Sequence, residues 1–301
     1  MSPRRRSAPA AEAAAEPAEP ATEPVPEPPR DSAPSARSLL LTVLGEFVHP
    51  RDGQVWTGTL VEALGALGVE AKSARQALAR TAAEGLLTSH RHGRRVRWEL
   101  TGEGERLLAE GTERIYGFMR ETHEWDGEWL VLTVGVPETQ RQLRHRLRSR
   151  LTWLGMGSPA PGVWVVPDAS KEAAVTDVVT ELELGDRAFA WTGRAARIGD
   201  PSKVIKAAWD LDDVEKRYLR FVDRFQDMRV DSDRAAFVQQ VLLIQEWRRF
   251  PFLDPDLPAE LLDHDWPGPA AAATFHDRRN RWHRRAQAEW ERMDAEAASR
   301  M

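Results

Sequence analysis

The chain has 301 residues, of which 42% are hydrophobic and 30% are charged, a balance typical of a soluble globular protein. This length allows two or three domains. The absence of cysteine excludes disulfides and thiolate metal sites, and it fits a reducing cytoplasm. No run of about 18 apolar residues occurs, so the sequence predicts no membrane span and a cytoplasmic location.

Residues 1–35 hold nine of the chain's twenty prolines, and alanine and glutamate make up most of the remainder. Such a segment cannot bury enough apolar surface to offset the entropy lost on ordering, so we expect a disordered tail. Three arginines stand near its start at residues 4–6, but no apolar segment follows them, which argues against a secretory signal.

The pattern of residues 36–120 predicts a winged helix-turn-helix, which is a DNA-binding domain. Apolar residues at helical spacing lie before and after a short strand, and Gly68 allows a tight turn between the second and third helices. Two extended runs follow the third helix. This order of elements is that of a winged helix. The predicted elements are a helix over Ser38–Val48, a strand over Gly53–Trp56, a helix capped by Thr57 or Thr59 and ending at Leu67, a helix over Ala71–Gly85, strands over Leu86–His90 and Arg95–Leu100, a loop over Thr101–Gly104 and a connecting helix over Leu107–Met119.

The helix over Ala71–Gly85 is expected to read DNA. At 3.6 residues per turn, its small apolar residues fall on one side and its polar residues on the other. The second helix of such a pair enters the major groove, where arginine pairs with guanine and glutamine with adenine. Basic residues of the wing then contact the neighbouring backbone or minor groove. The predicted DNA-binding residues are Lys72, Ser73, Arg75, Gln76 and Arg80 of the helix and Arg91, Arg94 and Arg95 of the wing.

The charge of this stretch supports the prediction. Residues 72–97 hold seven lysines and arginines against one acid, Glu84, a local charge of +6 in a chain whose net charge is −5. A basic island in an acidic protein suits phosphate binding. The alternative is a chance concentration of arginine on a solvated face.

Residues 121–200 are predicted to form a ferredoxin-like α/β module. Its first strand ends without an aspartate, so metal-assisted phosphodiester cleavage is not expected, and the module is interpreted as a scaffold or dimer surface. Gly155–Ser158 is expected to form the turn before a strand. The predicted elements are strands over Glu128–Val136, Val163–Val166 and Arg187–Thr192 and helices over Thr139–Leu154 and Ser170–Leu184.

The helix over Thr139–Leu154 is rich in arginine opposite its leucine stripe. These arginines suit the phosphates of DNA or of a CoA ligand, whereas salt bridges to the acidic remainder are the simpler interpretation, and the one that we favour. The residues concerned are Arg141, Arg144, Arg146, Arg148 and Arg150.

Residues 201–301 are predicted to form a helical C-terminal domain. Its tryptophans offer apolar volume for a core or a ligand, and a core is the default for each. His276 and His283 are roughly 10 Å apart along the last helix, too far for one metal, so no metal site is expected. The tryptophans assigned to this bundle are Trp209, Trp247, Trp266, Trp282 and Trp290.

Three separated blocks of the chain carry distinctive motifs. The motifs are Ala74-Arg75-Gln76-Ala77-Leu78-Ala79-Arg80, Glu84-Gly85 and Arg91-x-Gly93-Arg94-Arg95, then Trp125-Asp126-Gly127-x-Trp129, then Leu242-Leu243-Ile244, Arg248-Arg249, Asp254-Pro255-x-Leu257-Pro258-x-Glu260-Leu261-Leu262 and Trp266-x-Gly268. In this order they resemble the PaaX family, GntR-like transcriptional repressors of phenylacetic acid degradation. The resemblance spans roughly residues 38–270, with Trp98 where tyrosine is commoner. It implies a central module similar to the Cas2 nuclease fold, a repressor role, and phenylacetyl-CoA or a related acyl-CoA as effector.

We therefore interpret the chain as an α+β multidomain transcriptional regulator, not an enzyme. Its expected parts are a tail (1–35), a winged helix-turn-helix with its connecting helix (36–120), a ferredoxin-like, Cas2-like module (121–200) and a helical domain (201–301). A homodimer is expected because two-fold pairing doubles the base contacts and fixes half-site spacing. An effector that controls such a regulator must bind its DNA-competent and DNA-incompetent states with different affinity.

The expected partners are an operator in double-stranded DNA, a second copy of the chain and an acyl-CoA effector, with no cofactor, no metal and no membrane. Trp191, Arg194 and Arg197 are candidates for contact with the effector. Two alternatives stay open. One is a metal-dependent nuclease or hydrolase that uses the central module, and the other is a nucleoid-type DNA binder that responds to no ligand.

Overall fold

The computed structural model describes residues 34–120, 125–196, 198 and 200–299. Almost all of the predicted N-terminal tail therefore lies outside the described residues. Arg197, a candidate for effector contact, lies outside them too. None of the helices within these ranges is both long and apolar enough to cross a bilayer. The first elements are α1 (Ala36–Val43), which continues as a π-helical turn (Leu44–Val48), β1 (Gln54–Trp56), α2 (Thr57–Ala66), α3 (Ala71–Ala83), β2 (Leu87–His92), β3 (Arg95–Leu100) and α4 (Gly102–Gly117).

Helices α1, α2 and α3 pack together on one face of an antiparallel sheet of order β1-β3-β2. Leu40, Leu60 and Leu78 lie fully buried between them. Gly68 and Gly85 adopt φ values of +82° and +81° at the two ends of the α3 region, a left-handed conformation that favours glycine. These turns fix where α3 begins and ends.

Several predicted boundaries in this part are wrong. Strand β2 runs to His92, so the hairpin turn is only Gly93-Arg94 instead of four residues. The connecting helix begins at Gly102, because the Thr101 hydroxyl accepts a hydrogen bond from the Gly104 amide at 3.1 Å and caps it.

The predicted cap of α2 is also wrong. Helix α2 has no side-chain cap. The Thr57 hydroxyl donates to the Val96 carbonyl at 3.0 Å, and the Thr59 hydroxyl donates to Asp294 at 2.8 Å. Both threonines therefore hold α2 to other elements instead of capping it.

The central part has the element order β-α-β-β-α-β of ferredoxin-like modules. Its four strands are antiparallel, in the order β5-β6-β4-β7. Of the turn predicted over Gly155–Ser158, Gly155 does lie in a turn, but Gly157 and Ser158 already belong to strand β5, so the predicted extent is wrong. The elements are β4 (Glu128–Val134), α5 (Arg141–Trp153), β5 (Gly157–Ala160), β6 (Val163–Val166), α6 (Glu172–Glu181) and β7 (Ala188–Arg194).

The two faces of this sheet are covered differently. Leu130 and Leu132 face α5 and α6, where they pack with the buried Leu147 and Leu151. Val165, on the other face, packs against residues from the C-terminal part of the chain. The side chains of β7 are mostly exposed, and β7 is an edge strand.

The C-terminal part is helical. Trp209, which follows α7, lies against β5 and donates its indole N–H to the Gly155 carbonyl at 3.1 Å. Its predicted place in the helical bundle is therefore wrong, because it covers the central sheet. The helices are α7 (Pro201–Ala208), α8 (Leu211–Phe225), α9 (Asp233–Trp247), α10 (Phe250–Leu253) and α11 (Gly268–Ser299).

One hydrophobic core joins the first and last parts of the chain. The Phe47 ring lies 5.0 Å from that of Phe237 and 5.4 Å from that of Trp290. The buried Glu46 carboxylate accepts hydrogen bonds from Gln240 at 2.8 Å and Arg279 at 2.9 Å. The N-terminal helices are thus packed directly on α9 and α11.

Candidate nucleic-acid interface

Helix α3 presents one apolar face and one cationic face, as its sequence period predicts. The face packed against α1 and α2 buries Ala74, Ala77, Leu78 and Thr81. The Thr81 hydroxyl donates a hydrogen bond to the Ala77 carbonyl at 3.0 Å. The opposite face is open to solvent. It carries the exposed residues Lys72, Arg75, Gln76 and Arg80, with Ser73 half-buried at its margin.

The cations of this surface are not neutralised by the rest of the protein. Lys72, Arg75, Arg80, Arg91 and Arg94 are all exposed. None of them forms an ion pair with any residue in the described ranges. The positive charge of the α3 face and the hairpin tip is therefore available to an external anion.

Arg95 differs from the neighbouring cations because its guanidinium makes contacts within the protein. It is half-buried, and its guanidinium donates to the carbonyls of Ala297 at 3.2 Å and Ala298 at 2.5 Å, in the last turn of α11. The same group lies 4.5 Å from the ring centroid of Trp56, a cation–π contact. Arg95 thus ties the hairpin to the end of the C-terminal helix.

The outer face of the hairpin sheet holds polar residues that the sequence interpretation missed. The His90 Nε2 lies 2.9 Å from the Glu99 carboxylate, and Arg97 pairs with Asp52 at 3.4 Å. The antiparallel register brings them to one face, since His90 is opposite Arg97 and Gln54 is opposite Glu99. Strand alternation was the signal that would have grouped them.

A cleft of about 670 Å³ is lined by residues of this sheet, of α2, of α3 and of the end of α11. Trp56 and Val61 supply its apolar wall, and Arg75 and Arg94 stand at its rim with Ala297. The cleft therefore brings a cation of α3, a cation of the hairpin and the C-terminal helix close together.

Two of the three candidates for effector contact can be located. Trp191 is 53% exposed on the edge strand β7. Arg194, at the end of that strand, pairs with Glu128 at 3.0 Å and has a largely exposed side chain. They belong to an open sheet edge, and Arg197 lies outside the described residues.

Nuclease chemistry finds little support in the central module. Strand β4 ends at Val134, and Gly135 and Val136 follow it. Among the described residues, no group of three or more histidine, aspartate or glutamate side chains is arranged to hold a metal ion. Metal-assisted cleavage would use carboxylates to hold the ion, and none directly follows the end of β4.

Comparison with known proteins agrees with the motifs in the sequence. Family models match three consecutive parts of the chain: "PaaX-like protein" at residues 35–104, "PaaX protein central Cas2-like domain" at 122–205 and "PaaX-like protein C-terminal domain" at 209–292. The chain belongs to the PaaX family. A curated relative, transcriptional repressor PaaX of Escherichia coli, is 29% identical over 250 residues, which are 79% of this chain and 77% of the relative. Membership of the PaaX family thus indicates a regulator instead of an enzyme.

A solved structure shares the fold of this PaaX-family chain. It is an uncharacterized protein from Mycobacterium tuberculosis, with a TM-score of 0.61 and 24% sequence identity. The match covers 85% of this chain and 99% of the other. Both chains therefore combine a mixed α and β architecture with a helical C-terminal part.

The C-terminal PaaX-like motifs occupy structural positions. Asp254 is buried, and its carboxylate accepts hydrogen bonds from the Tyr218 hydroxyl at 2.6 Å and the Asp256 amide at 2.8 Å. Leu257 of the same motif is buried under the central sheet, beside Trp129. These residues join α8 and the central module instead of forming a surface for DNA.

Proposed function

We propose that this chain is a transcriptional repressor that binds operator DNA through α3 and the β2–β3 hairpin. The observation that carries the proposal is the exposed cationic face of α3, which continues onto the hairpin tip without a carboxylate partner in the described ranges. Similarity to a curated transcriptional repressor supports the same role.

The element order supports a winged helix-turn-helix, in which α2 and α3 form the helical pair and β2–β3 the wing. Helix α3 then lies in the major groove, where Arg75, Gln76 and Arg80 reach base edges or phosphates. Lys72 and the hairpin cations Arg91 and Arg94 hold the neighbouring backbone. Arg95, which binds the α11 carbonyls, positions the wing.

Single substitutions on α3 test this proposal. We expect Arg75→Ala or Arg80→Ala to weaken operator binding by about 1–3 kcal/mol, or roughly 5- to 150-fold, while leaving the unfolding free energy within about 0.5 kcal/mol. Fluorescence anisotropy with the promoter region of the chain's own gene measures the affinity. Arg220→Ala, which removes an exposed cation from α8, is the matched control. Wild-type affinity in both α3 variants would show that α3 does not read DNA.

The proposed repressor is a homodimer, and the edge of the central sheet is its interface. Strand β7 has no neighbour on its outer side within the described chain. It also exposes Phe189 by 71% and Trp191 by 53% on one face. A second copy of β7 completes the backbone hydrogen bonds and covers both rings, as exposed edges and apolar patches otherwise favour association.

Light scattering tests the interface. We expect Phe189→Ser/Trp191→Ser to shift the molar mass from twice 33.9 kDa to 33.9 kDa, because the variant loses the apolar contact area of both subunits. Leu219→Ser, which alters a similarly exposed apolar residue of α8, is the control and should leave the mass unchanged. A dimer that survives the double substitution would place the interface elsewhere.

The proposed effector is phenylacetyl-CoA or a related acyl-CoA, as the PaaX resemblance implies. Such a ligand releases the operator only if it binds the DNA-incompetent state more tightly than the DNA-bound state. A gel shift of the promoter region, with and without phenylacetyl-CoA, decides the point. Release at micromolar ligand supports the proposal, and retention of the complex at every ligand concentration contradicts it.

A further inference from the structure

Helix α5 of the central module carries a second cationic surface. Its sequence, RQLRHRLRSRLTW, contains five arginines and no acidic residue. Leu147 and Leu151 are buried against the sheet. Successive residues are about 100° apart around a helix, so Arg141, Arg144 and Arg148 lie in one row along α5, beside the side that the leucines bury. We call this row the α5 stripe. All three side chains are exposed.

The α5 stripe has no carboxylate partner within the described ranges. Arg144 donates to the Glu138 main-chain carbonyl at 3.0 Å, which leaves its charge in place. Arg150, on another side of the helix, pairs with Glu181. Salt bridges to the acidic remainder, the simpler interpretation of the sequence, therefore account for Arg150 but not for the stripe.

The stripe does not stabilise its own helix. Arg141 and Arg144 lie in the first turn, where the helix dipole disfavours cations. Arg141, Arg144 and Arg148 also repel one another at spacings of three, four and seven residues. This arrangement of charges costs folding free energy, although the chain as a whole has a net charge of −5. Binding of an external anion to the stripe would explain why the chain carries it.

Helix α4 joins the base of the hairpin to the helix that carries the stripe. It begins against the hairpin, where Gly104 meets the Leu86 carbonyl. About 15 Å further along α4, the Arg114 guanidinium lies 3.5 Å from the ring centroid of Trp153, at the end of α5. Arg148 lies about 7 Å back along α5 from Trp153. These two lengths of helix are together shorter than one turn of duplex, which is about 34 Å.

We propose that the α5 stripe binds the phosphate backbone of duplex DNA outside the base pairs that α3 reads. This inference rests on the proposed DNA-binding function. The stripe spreads its three guanidiniums over about 10 Å of a convex, exposed helix, whereas small-molecule sites are concave. A continuous polyanion matches that shape, and the phosphate of a bound CoA thioester does not.

The dependence of DNA affinity on salt tests the inference. Each phosphate contact contributes about 0.9 to the slope of log K against log salt concentration. We expect Arg141→Gln/Arg148→Gln to lower the magnitude of this slope by about 2, on an unrelated duplex of about four helical turns and on the promoter duplex alike. The affinity should fall about 10- to 100-fold at low salt.

A substitution on the same helix provides the matched control. Arg146 is exposed and lies about 160° around the helix from Arg148. We expect Arg148→Gln to lower the slope by about 0.9 and Arg146→Gln to leave it unchanged. Equal effects of the two variants would overturn the inference, because they would report net charge instead of contact. All these positions are on the surface, so circular dichroism should be unchanged.

The outcomes separate this inference from the proposed function. If Arg75→Ala loses operator affinity but Arg141→Gln/Arg148→Gln keeps the wild-type affinity and slope, the inference is overturned and the function stands. If the double variant keeps DNA affinity but no longer responds to phenylacetyl-CoA, the stripe binds a ligand phosphate and the inference is again overturned. A wild-type chain that binds no duplex contradicts both.

Discussion

Asp254 is a buried carboxyl group whose protonation should change stability with pH. Burial, above all, raises its pKa to about 6, although hydrogen bonds from the Tyr218 hydroxyl and the Asp256 amide act in the opposite direction. In the unfolded chain the pKa of aspartate is about 3.9. Between these values the folded state keeps a proton that the unfolded state has lost, so this contribution to stability is present below about pH 4 and is lost as the pH rises through about 6.

We therefore expect Asp254→Asn to remove a pH-dependent loss of stability. The difference between the two pKa values corresponds to about 3 kcal/mol. The wild-type free energy of unfolding, relative to that of the variant, should fall by about this amount from about pH 4 to about pH 7. Urea unfolding at several pH values measures it. Parallel pH profiles for the two proteins would contradict the raised pKa.

The sequence predicted residues best where one helix alone decides their position. The period of α3 correctly separates the buried Leu78 from the exposed Arg75 and Arg80, because both faces follow from local geometry. Arg95 was grouped with the exposed wing cations, yet its carbonyl acceptor in Ala297 is 202 positions away along the chain. No local pattern carries such a contact.

Helix α4 depends on one glycine at its junction with the hairpin. A Cβ at Gly104 would lie 2.2 Å from the Leu86 carbonyl oxygen, which also accepts a hydrogen bond from the Thr101 amide. We expect Gly104→Ala to lower the free energy of unfolding by about 2–3 kcal/mol, because main-chain atoms must move to relieve the overlap. Thermal and urea unfolding measure the loss.

Gly111, on the same helix, is the matched control because a Cβ added there would meet no atom within 4 Å. Gly111→Ala should stabilise the protein by about 0.5–1 kcal/mol, since alanine restricts the unfolded chain more than glycine does. The two substitutions thus have opposite expected signs. A Gly104→Ala protein as stable as the Gly111→Ala protein would show that α4 does not pack on the hairpin in this way.

Elements were predicted well where periodicity is strong and less well where main-chain pairing or capping decides. Strand β6 has the predicted bounds, Val163–Val166, because four apolar residues lie between turns. Strand β5 was missed because Gly157-Ser158-Pro159-Ala160 has a low intrinsic preference for strands. It forms because β6 supplies its backbone partners and α7 covers it.

Over the whole molecule, no pattern in the sequence indicates that the two ends of the chain share a core. Each part shows its own apolar periodicity, so the predicted divisions at residues 120 and 200 treat the first and last parts as separate domains. The structure packs Phe47 against Phe237 and Trp290 and joins Glu46 to Arg279. These contacts depend on tertiary packing between segments that are far apart along the chain, which periodicity does not report.

The shared core predicts which elements should lose stability when a cavity is made in α9. Phe237 is fully buried, and Phe237→Ala should lower the free energy of unfolding by about 3–5 kcal/mol. Because its ring packs on Phe47, hydrogen exchange should lose protection in α1 and its π-helical turn as well as in α9. Leu132→Ala, in the separate core of the central sheet, should instead expose β4 and β6 first. Loss confined to α9–α11 in the Phe237 variant would show that the N-terminal helices are stable by themselves, as independent domains would be.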